Sequence, residues 1–353
     1  MKFLNTTVVA AVLVAVATSI SPASADIAQG SIGTGKKIQS RNADHSKPKS
    51  VKMRQAPRRG AETARDVRPS EGDGTAAYTT IRRSRNGEIT RTPPSDALKR
   101  SLLEDQRADL PADAGSAGQE QERVVVGNDD RIQLQDSFSY PFSATGIIVI
   151  RFEGDDGIYG CSAALVGPST VVTTAYCVYD HEMREPWAQS VTFWPGSNGE
   201  DVDLGGFEAS NFAVMDGFVS KWDGSYGSVW QYDVAMLNLD EPIGEELGWY
   251  ATEVVSRQKG FDGNLVGYHS DLPTWTMWRS KCRVEKSNIL KVDIIHTCDS
   301  AGDVAAGAPL YVFHGADKAR QLVGVHEGAE SDRSNWAMRI DKTIATWISD
   351  LSE

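Results

Sequence analysis

The sequence predicts an all-β domain over residues 124–353 that ends in one α-helix. From Val124 onward, short runs rich in β-branched and aromatic residues recur, with turn signals such as Gly167-Pro168-Ser169 between them. Near the C-terminus, apolar residues from Ile340 to Leu351 share one face at helical spacing, and Asp341 is suited to the N-cap. A domain of this size with short strands and one terminal helix fits a double β-barrel or a β-sandwich.

The predicted strands form two sets. The first set covers residues 147–152, 161–166, 171–174, 190–194 and 234–239. The second set covers residues 265–269, 276–285, 289–298, 309–313, 321–326 and 336–340.

The first 25 residues have the pattern of a signal peptide. Lys2 gives a basic start, residues 8–20 form an uncharged Ala/Val-rich run, and Ala23-Ser24-Ala25 supplies the small-x-small pattern before Asp26. The apolar run is short for a transmembrane helix, and no other stretch of the sequence is long and apolar enough to span a bilayer. We therefore expect a soluble protein secreted to the extracellular space or the periplasm, with no membrane span.

Residues 26–123 are expected to form a poorly ordered basic pro-segment or linker. They are rich in Ser, Arg, Gly, Pro and Gln, and Tyr78 is their only aromatic residue. Such a segment has little apolar surface to offset the entropy lost on ordering. One short amphipathic helix is predicted at residues 95–106. We interpret the segment as a pro-segment removed near Arg123, and a flexible tether is the alternative.

Charge divides the chain at the same boundary. Residues 26–123 contain 19 Lys/Arg and 14 Asp/Glu, a net charge of +5. Residues 124–353 contain 16 Lys/Arg and 34 Asp/Glu, a net charge of −18. A domain this acidic repels phosphate, so no nucleic-acid partner is expected. Solubility outside the cell is the simplest explanation of the acidity, and the basic leader could also screen the domain.

Four cysteines, Cys161, Cys177, Cys282 and Cys298, favour disulfides in an exported protein. Three pairings are possible. Pairing neighbours, Cys161–Cys177 and Cys282–Cys298, closes two loops of similar length, and each bridge would contribute roughly 3 kcal/mol. No CxxC or His-rich spacing indicates a zinc site, so we expect neither a metal nor a cofactor.

Three segments carry the chemistry. The first is Gly160-Cys161-Ser162-Ala163-Ala164-Leu165-Val166-Gly167-Pro168-Ser169-Thr170-Val171-Val172-Thr173-Thr174-Ala175-Tyr176-Cys177. It resembles the chymotrypsin-like serine proteases, particularly the bacterial glutamyl-endopeptidase branch, in which this run ends in Thr-Ala-Ala-His-Cys. The resemblance implies two antiparallel β-barrels with a C-terminal α-helix, and a disulfide between the two cysteines of the run. It also implies that Tyr176 stands where the catalytic histidine is expected.

The second and third segments match the other two triad positions. Tyr232-Asp233-Val234-Ala235-Met236-Leu237 resembles the strand that presents the buried aspartate of the family, which is matched by Asp233. Cys298-Asp299-Ser300-Ala301-Gly302-Asp303-Val304-Ala305-Ala306-Gly307-Ala308-Pro309-Leu310-Tyr311 resembles the Gly-x-Ser-Gly-Ser-Pro nucleophile loop. In this alignment Ala306 takes the place of the serine, and Val304 takes the place of the oxyanion-hole glycine.

Further matches extend the resemblance over nearly all of residues 124–353 and none of the leader. The mature N-terminus and the strands around the specificity pocket are matched by Val125-Val126-Gly127-Asn128-Asp129-Asp130-Arg131, Thr276-Met277-Trp278-Arg279-Ser280 and Gly324-Val325-His326-Glu327-Gly328. In glutamyl-specific relatives a histidine at the position of His326 helps to bind an acidic side chain. Glu327 and Glu330 disfavour an anion-binding pocket here, so a packed or surface histidine remains the alternative.

The matched residues argue against peptide cleavage. Acyl transfer needs a hydroxyl nucleophile, a base that titrates near neutral pH and donors for the oxyanion. Ala306 supplies no nucleophile, and a phenol such as Tyr176 titrates near 10. Val304 is β-branched where glycine is suited to turn its amide towards the substrate. Losing the serine or the histidine alone costs about 10⁶ in kcat, and such losses are not additive. Asp233 is then left to accept a hydrogen bond from Tyr176.

Three functions remain open. The favoured one is an exported pseudoprotease that binds a protein or peptide ligand in the cleft between the barrels. The alternative is an active secreted serine-type endopeptidase with unconventional residues, for which His181 and Ser300 are the candidates for a relocated triad. The third is a structural or surface-interaction protein that makes no use of the cleft.

Overall fold

The computed structural model describes residues 47–48, 51–54, 74–107, 128–199, 204–300, 305–314, 319–331 and 334–352. The predicted signal peptide, the predicted cleavage point at Arg123 and the oxyanion-glycine equivalent Val304 lie outside these residues. Within the described ranges, no helix combines the length and the apolar character needed to cross a membrane.

Part of the leader is ordered. It contains strands β1 (Lys52–Met53), β2 (Thr80–Ser84) and β3 (Ile89–Thr92), followed by helix α1 (Asp96–Arg107). Helix α1 matches the helix predicted at residues 95–106, and Ser95 Oγ accepts a hydrogen bond from the Leu98 N–H at 3.0 Å. Ile81, Leu98 and Leu102 are buried. The expectation of a poorly ordered leader is therefore wrong for these residues, because a few apolar side chains dock on the core of the barrel domain.

Six antiparallel strands close the first barrel. After β4 (Ile132–Gln133), they are β5 (Thr145–Phe152), β6 (Tyr159–Leu165), β7 (Thr170–Thr173), β8 (Ala188–Pro195), β9 (Phe207–Met215) and, beyond helix α2 (Asp216–Ser220), β10 (Ala235–Leu239). The order is β10-β7-β6-β5-β8-β9, and pairing of β10 with β9 closes the ring. The leader hairpin β2–β3 joins through β2 and β9, and β1 lies parallel to β6.

The second half of the domain forms an eight-stranded sheet. Its elements follow helix α3 (Gly244–Leu247) as β11 (Ala251–Thr252), β12 (Phe261–Tyr268), β13 (Met277–Val284), β14 (Asp293–His296), β15 (Pro309–His314), β16 (Ala319–Ser331) and β17 (Ser334–Arg339). The order is β14-β17-β16-β15-β12-β13-β4, with β11 pairing β16. Helix α4 (Lys342–Leu351) ends the described chain, and Asp341 caps it by accepting from the Ile344 N–H at 2.8 Å.

Both predicted disulfides are present. Cys161 is bonded to Cys177, with their Cα atoms 6.3 Å apart, and Cys282 is bonded to Cys298, with their Cα atoms 4.6 Å apart. The first bond ties β6 to the turn after β7, and the second ties β13 to the segment after β14. The all-β chymotrypsin-like fold with its terminal helix is confirmed. The sequence analysis missed the long strand β9, the short strands β4 and β11, and the leader strands β1, β2 and β3.

Candidate functional site

Tyr176 lies in a single turn of 3₁₀ helix, Ala175–Cys177, directly after β7. The extended backbone of Thr174 ends the strand, and the Cys161–Cys177 disulfide holds the turn against β6. The Tyr176 side chain is buried. Its backbone N–H donates a hydrogen bond to Asp233 Oδ1 at 2.9 Å. The predicted contact between these two positions exists, and the backbone makes it.

Asp233 is completely buried between a 3₁₀ turn, Trp230–Tyr232, and the start of β10. Its second carboxylate oxygen, Oδ2, accepts a hydrogen bond from the Tyr226 hydroxyl. Each oxygen therefore has a donor from the loop structure around it. This is a structurally satisfied carboxylate, as expected for a buried charged group.

Tyr226 joins the two halves of the site. Its ring meets the Tyr176 ring edge-on, with centroids 6.4 Å apart, and lies 6.1 Å from the ring of Trp336 on β17. Burial, followed by the negative charges of Asp233 and Glu327, raises the pKa of Tyr226 well above its ordinary value. The phenol therefore stays protonated and acts as a donor to Asp233, not as a base.

Ala306 lies in a tight loop against the first barrel. Its carbonyl accepts a hydrogen bond from the Ser162 N–H at 2.8 Å, and the next residue, Gly307, donates to the His326 carbonyl at 2.8 Å. Gly307 has φ +82°, and a Cβ there would lie 1.9 Å from the Ser162 carbonyl oxygen. Only glycine fits this close approach. The loop thus retains a tight geometry, with a methyl group at the position that matches the nucleophile.

His326 is buried in the second half of the domain, in a chain of hydrogen-bonding side chains. Its Nδ1 lies 3.2 Å from His296 Nε2, and its Nε2 lies 3.1 Å from Ser300 Oγ. Burial, with the nearby His326, lowers the pKa of His296 well below its ordinary value. The surface alternative for His326 is therefore excluded, and Glu327 beside it is also buried. The side chain of Glu330 lies outside the described residues.

A third histidine, His269, lies at the end of β12 near an ion-pair cluster. Arg131 is paired with Asp129 at 2.8 Å and with Asp271 at 2.7 Å. Burial, and then the Arg131 guanidinium, lower the pKa of His269 to about 3. This imidazole is therefore neutral at physiological pH.

The two candidates for a relocated triad lie in different clusters. His181 stacks on Trp222 with ring centroids 4.2 Å apart and an interplanar angle of 5°, and it also contacts Phe218. Ser300 contacts His326 instead. The structure therefore places Ser300 beside a histidine other than the one proposed from the sequence.

Sequence reasoning missed Tyr226 and His296. The available signal for Tyr226 was weak, namely a cluster of aromatic residues in the loop before Asp233. His296 lies two residues before Cys298 in a predicted strand, so alternation places it on the same face as that cysteine. Neither pattern identifies the partner that each side chain meets across the fold.

One group of potential metal ligands occurs in the described part of the chain. Cys282, His296 and Cys298 bring donor atoms within 4.8 Å of one another. Both thiols are consumed by the Cys282–Cys298 disulfide, which leaves a single imidazole. This group is therefore not a metal centre in the oxidised protein.

The chain is similar to several bacterial proteins that are named as proteases. No protein-family model matches the chain. It is 27% identical over 209 residues to a protein of Bacillus subtilis named extracellular metalloprotease, covering 59% of this chain and 63% of the relative. It is 26% identical over 190 residues to a glutamyl endopeptidase of Bacillus licheniformis, covering 54% of this chain and 55% of the relative. A glutamyl endopeptidase of Staphylococcus aureus is 23% identical over 238 residues, covering 65% of this chain and 59% of the relative.

A solved structure of a Glu endopeptidase superimposes with a TM-score of 0.53 at 22% identity, covering 64% of this chain and 98% of that structure. The chain matches between 55% and 63% of the length of the three relatives. The chain is therefore similar to bacterial glutamyl endopeptidases, and it is built on the chymotrypsin-like serine protease fold.

Proposed function

We propose that this protein is a non-catalytic, exported homologue of the serine endopeptidases that acts by binding a protein or peptide in the cleft between its barrels. The observation that carries the proposal is the state of Asp233, which accepts hydrogen bonds from Tyr226 and from the Tyr176 backbone. In an active triad the aspartate orients a histidine base. Here each carboxylate oxygen accepts a hydrogen bond from a group that holds the fold.

The nucleophile position supports the same proposal. The loop around Ala306 and Gly307 keeps the tight approach to Ser162, yet its side chain is a methyl group that cannot attack a carbonyl. Retained geometry with lost chemistry favours binding over cleavage.

Export is part of the proposal. Two disulfides occur in the described chain, and disulfides persist in oxidising compartments. The signal-peptide pattern of residues 1–25 and the net charge of −18 over residues 124–353 fit a protein that stays in solution outside the cytoplasm.

A labelling experiment tests the absence of catalysis. The full-length protein is incubated with a fluorophosphonate probe and with a broad library of peptide substrates. We expect no covalent adduct and no cleavage products, because the matched nucleophile position has no hydroxyl. A stoichiometric adduct would reject the proposal.

A capture experiment tests binding in the cleft. The full-length protein is immobilised, exposed to secreted proteins of the same cells, and compared with Arg279→Ala, which truncates a half-buried side chain of β13 in the segment that resembles the specificity pocket of the family. The matched control is Arg283→Ala, which changes an exposed arginine further along the same strand. We expect the first variant to lose capture and the control to retain it. Equal capture by both variants would favour a surface that does not involve the cleft.

One observation favours a second candidate, an active endopeptidase. Ser300, His326 and His296 form a hydrogen-bonded series with separations of 3.1 and 3.2 Å, which has the connectivity of a nucleophile, a base and an orienting group. All three side chains are buried, so a substrate has no direct access. This candidate predicts a fluorophosphonate adduct that disappears in Ser300→Ala.

A further inference from the structure

Residues 51–54 of the leader occupy a strand edge beside Tyr176. Strand β6 pairs with β7 only at Ala164 and Leu165, so its first residues have an edge on that side. Strand β1 covers this edge in parallel register, through hydrogen bonds from the Lys52 N–H to the Ile158 carbonyl and from the Arg54 N–H to the Gly160 carbonyl, both 2.7 Å. This is strand addition to an open edge, a common mode of peptide recognition.

Arg54 anchors the segment. Its Nη1 donates to Asp180 Oδ2 at 2.7 Å, and its Nη2 donates to the Tyr176 carbonyl at 2.8 Å. The guanidinium also lies over three aromatic rings, at 5.0 Å from Phe152, 5.6 Å from Tyr159 and 5.8 Å from Tyr176. The residue is 9% exposed. A planar cation that is paired, hydrogen-bonded and stacked in this way is recognised as arginine in particular.

Gly160 makes room for the side chains of the segment. A Cβ on Gly160 would lie 2.7 Å from Val51 Cγ1 and 2.9 Å from Met53 Sδ. The absence of a side chain at this position is therefore matched to the occupant. Val51 is buried in the same core as the barrel.

Charge also matches across the contact. Lys52 lies over the Tyr159 ring, with its ammonium 5.9 Å from the centroid. The Tyr159 hydroxyl donates to Asp155 at 2.9 Å, and Arg54 is paired with Asp180. A basic tetrapeptide thus meets carboxylates of an acidic domain, which is the complementarity that specific interfaces use.

We propose that this edge is a binding site for an extended peptide that carries an arginine, and that residues 51–54 are a tethered occupant that competes with the external ligand. The proposal rests on the proposed binding function and names its ligand class. Because the contact is carried by four successive residues in extended conformation, a peptide from another protein can reproduce all of it. The tether holds the occupant at a high effective concentration, so an external ligand binds fully only when the occupant is weakened or removed.

A peptide competition experiment tests the proposal with the full-length protein. The probe is a fluorescent amidated peptide with the sequence of residues 47–54, Lys-Pro-Lys-Ser-Val-Lys-Met-Arg, and its binding is followed by fluorescence anisotropy. We expect Arg54→Ala to bind the probe at least about tenfold more tightly than the unmodified protein, because the competing occupant is weakened. A probe ending in Ala should bind at least about tenfold more weakly to the same variant.

Two variants confirm the location of the bound probe. In the Arg54→Ala background, Asp180→Asn should weaken probe binding at least about tenfold, because the partner charge of the probe arginine is lost. Asn retains an oxygen for the Glu182 N–H, which Asp180 Oδ1 accepts at 2.9 Å. Arg85→Ala is the matched control, since this leader arginine forms ion pairs with Asp240 and Glu208 elsewhere on the surface. It should leave probe binding at the unmodified level.

Should Arg54→Ala fail to fold, the double variant Val51→Ser/Met53→Ser weakens the contact of residues 51–54 without changing the barrel. In that background Gly160→Ala takes the place of Asp180→Asn as the change that blocks probe binding. Probe binding that is equal in the unmodified and loosened proteins, or that is insensitive to both blocking changes, would overturn the site and leave the capture experiment to judge the binding function. Cleavage of the bound probe would reject the non-catalytic function and leave the site standing.

Discussion

The hydroxyl of Tyr226 donates a hydrogen bond to Asp233, the residue that matches the triad aspartate. Tyr226 also contacts the ring of Tyr176 and the ring of Trp336, which lie in different halves of the domain. The buried carboxylate thus serves as the anchor of an aromatic bridge between the two sheets. This contact makes Asp233 part of the packing between the two sheets, with consequences for stability and for attempts to introduce activity.

Replacing Tyr226 by Phe should destabilise the protein at neutral pH. The change leaves a buried carboxylate with one donor fewer, and a hydrogen bond to a charged group contributes about 1.5–3 kcal/mol. Urea unfolding followed by fluorescence gives the free energy of unfolding for comparison with the unmodified protein.

Tyr268→Phe is the matched control for this prediction. Tyr268 is also buried, and its hydroxyl donates to the neutral carbonyl of Ser197 at 2.7 Å. Losing this bond should cost about 0.5–1.5 kcal/mol, less than the loss at Asp233. Equal effects of the two substitutions would mean that Asp233 carries no net charge in the folded protein.

Restoring the matched nucleophile alone should not restore catalysis. Ala306→Ser supplies a hydroxyl, but the position that matches the histidine base holds Tyr176, and a phenol ordinarily titrates near 10. Asp233 already accepts a hydrogen bond from the Tyr226 hydroxyl. We expect the rate of fluorophosphonate labelling of this variant to equal that of the unmodified protein.

Adding the base should help only when Asp233 is released. In Tyr176→His/Ala306→Ser the new imidazole must compete with Tyr226 for the carboxylate, so labelling should remain slow. The further change Tyr226→Phe frees Oδ2 and should raise the labelling rate about tenfold or more, since the orienting partner of the histidine base contributes several powers of ten to catalysis. Equal rates for the double and triple variants would show that Tyr226 does not block the site.

The stability of the protein should fall in mild acid, partly because of His269. Burial and Arg131 lower the pKa of His269 to about 3 in the folded protein, whereas an exposed imidazole titrates near 6.5. Between these values the unfolded chain binds a proton that the folded chain does not. The contribution of His269 to the free energy of unfolding therefore rises with pH in this interval. It is fully present above pH 6.5 and is lost as the pH falls towards 3.

His269→Gln tests this interpretation through the pH dependence of the unfolding free energy. Near pH 5 the unfolded protein binds about one more proton at His269 than the folded protein does. The substitution removes this difference, so the slope of unfolding free energy against pH should fall by about 1.4 kcal/mol per pH unit. Urea unfolding at several pH values between 4 and 7 measures it. An unchanged slope would assign the acid sensitivity to other groups, among them His296, whose pKa is also lowered by burial.

The fold was predictable from local patterns because its strands are short, β-branched and separated by turns. Strand β9 (Phe207–Met215) escaped because Glu208, Ser210 and Asn211 interrupt its apolar run, and only pairing with β8, β10 and β2 makes it a strand. The leader was misjudged for a related reason. Average composition hides single side chains such as Ile81 and Leu98, which find their apolar surroundings on another part of the chain.

The assignment of Tyr176, Asp233 and Ala306 to the triad positions rests on their spacing to Cys177 and Pro309 and stays a prediction. The partners of these residues could not be read from spacing. Tyr226 reaches Asp233 from a loop, and the contact depends on how the two sheets pack around it.

The leader should remain attached to the barrel domain after the chain is cut between them. Helix α1 packs on α4, where Asp105 accepts from the Thr343 N–H at 2.9 Å, and the buried Leu98 and Leu102 would each cost about 2–5 kcal/mol if truncated to Ala. A protease recognition site inserted within residues 108–127 tests this. We expect the two fragments of the cut protein to elute together in gel filtration under non-denaturing conditions. The same cut in Leu98→Ala/Leu102→Ala should release the leader fragment, while the uncut double variant shows by circular dichroism that the barrels are still folded. Separate elution of the fragments of the otherwise unmodified protein would mean that these contacts are too weak to hold the leader, which would then behave as a removable pro-segment.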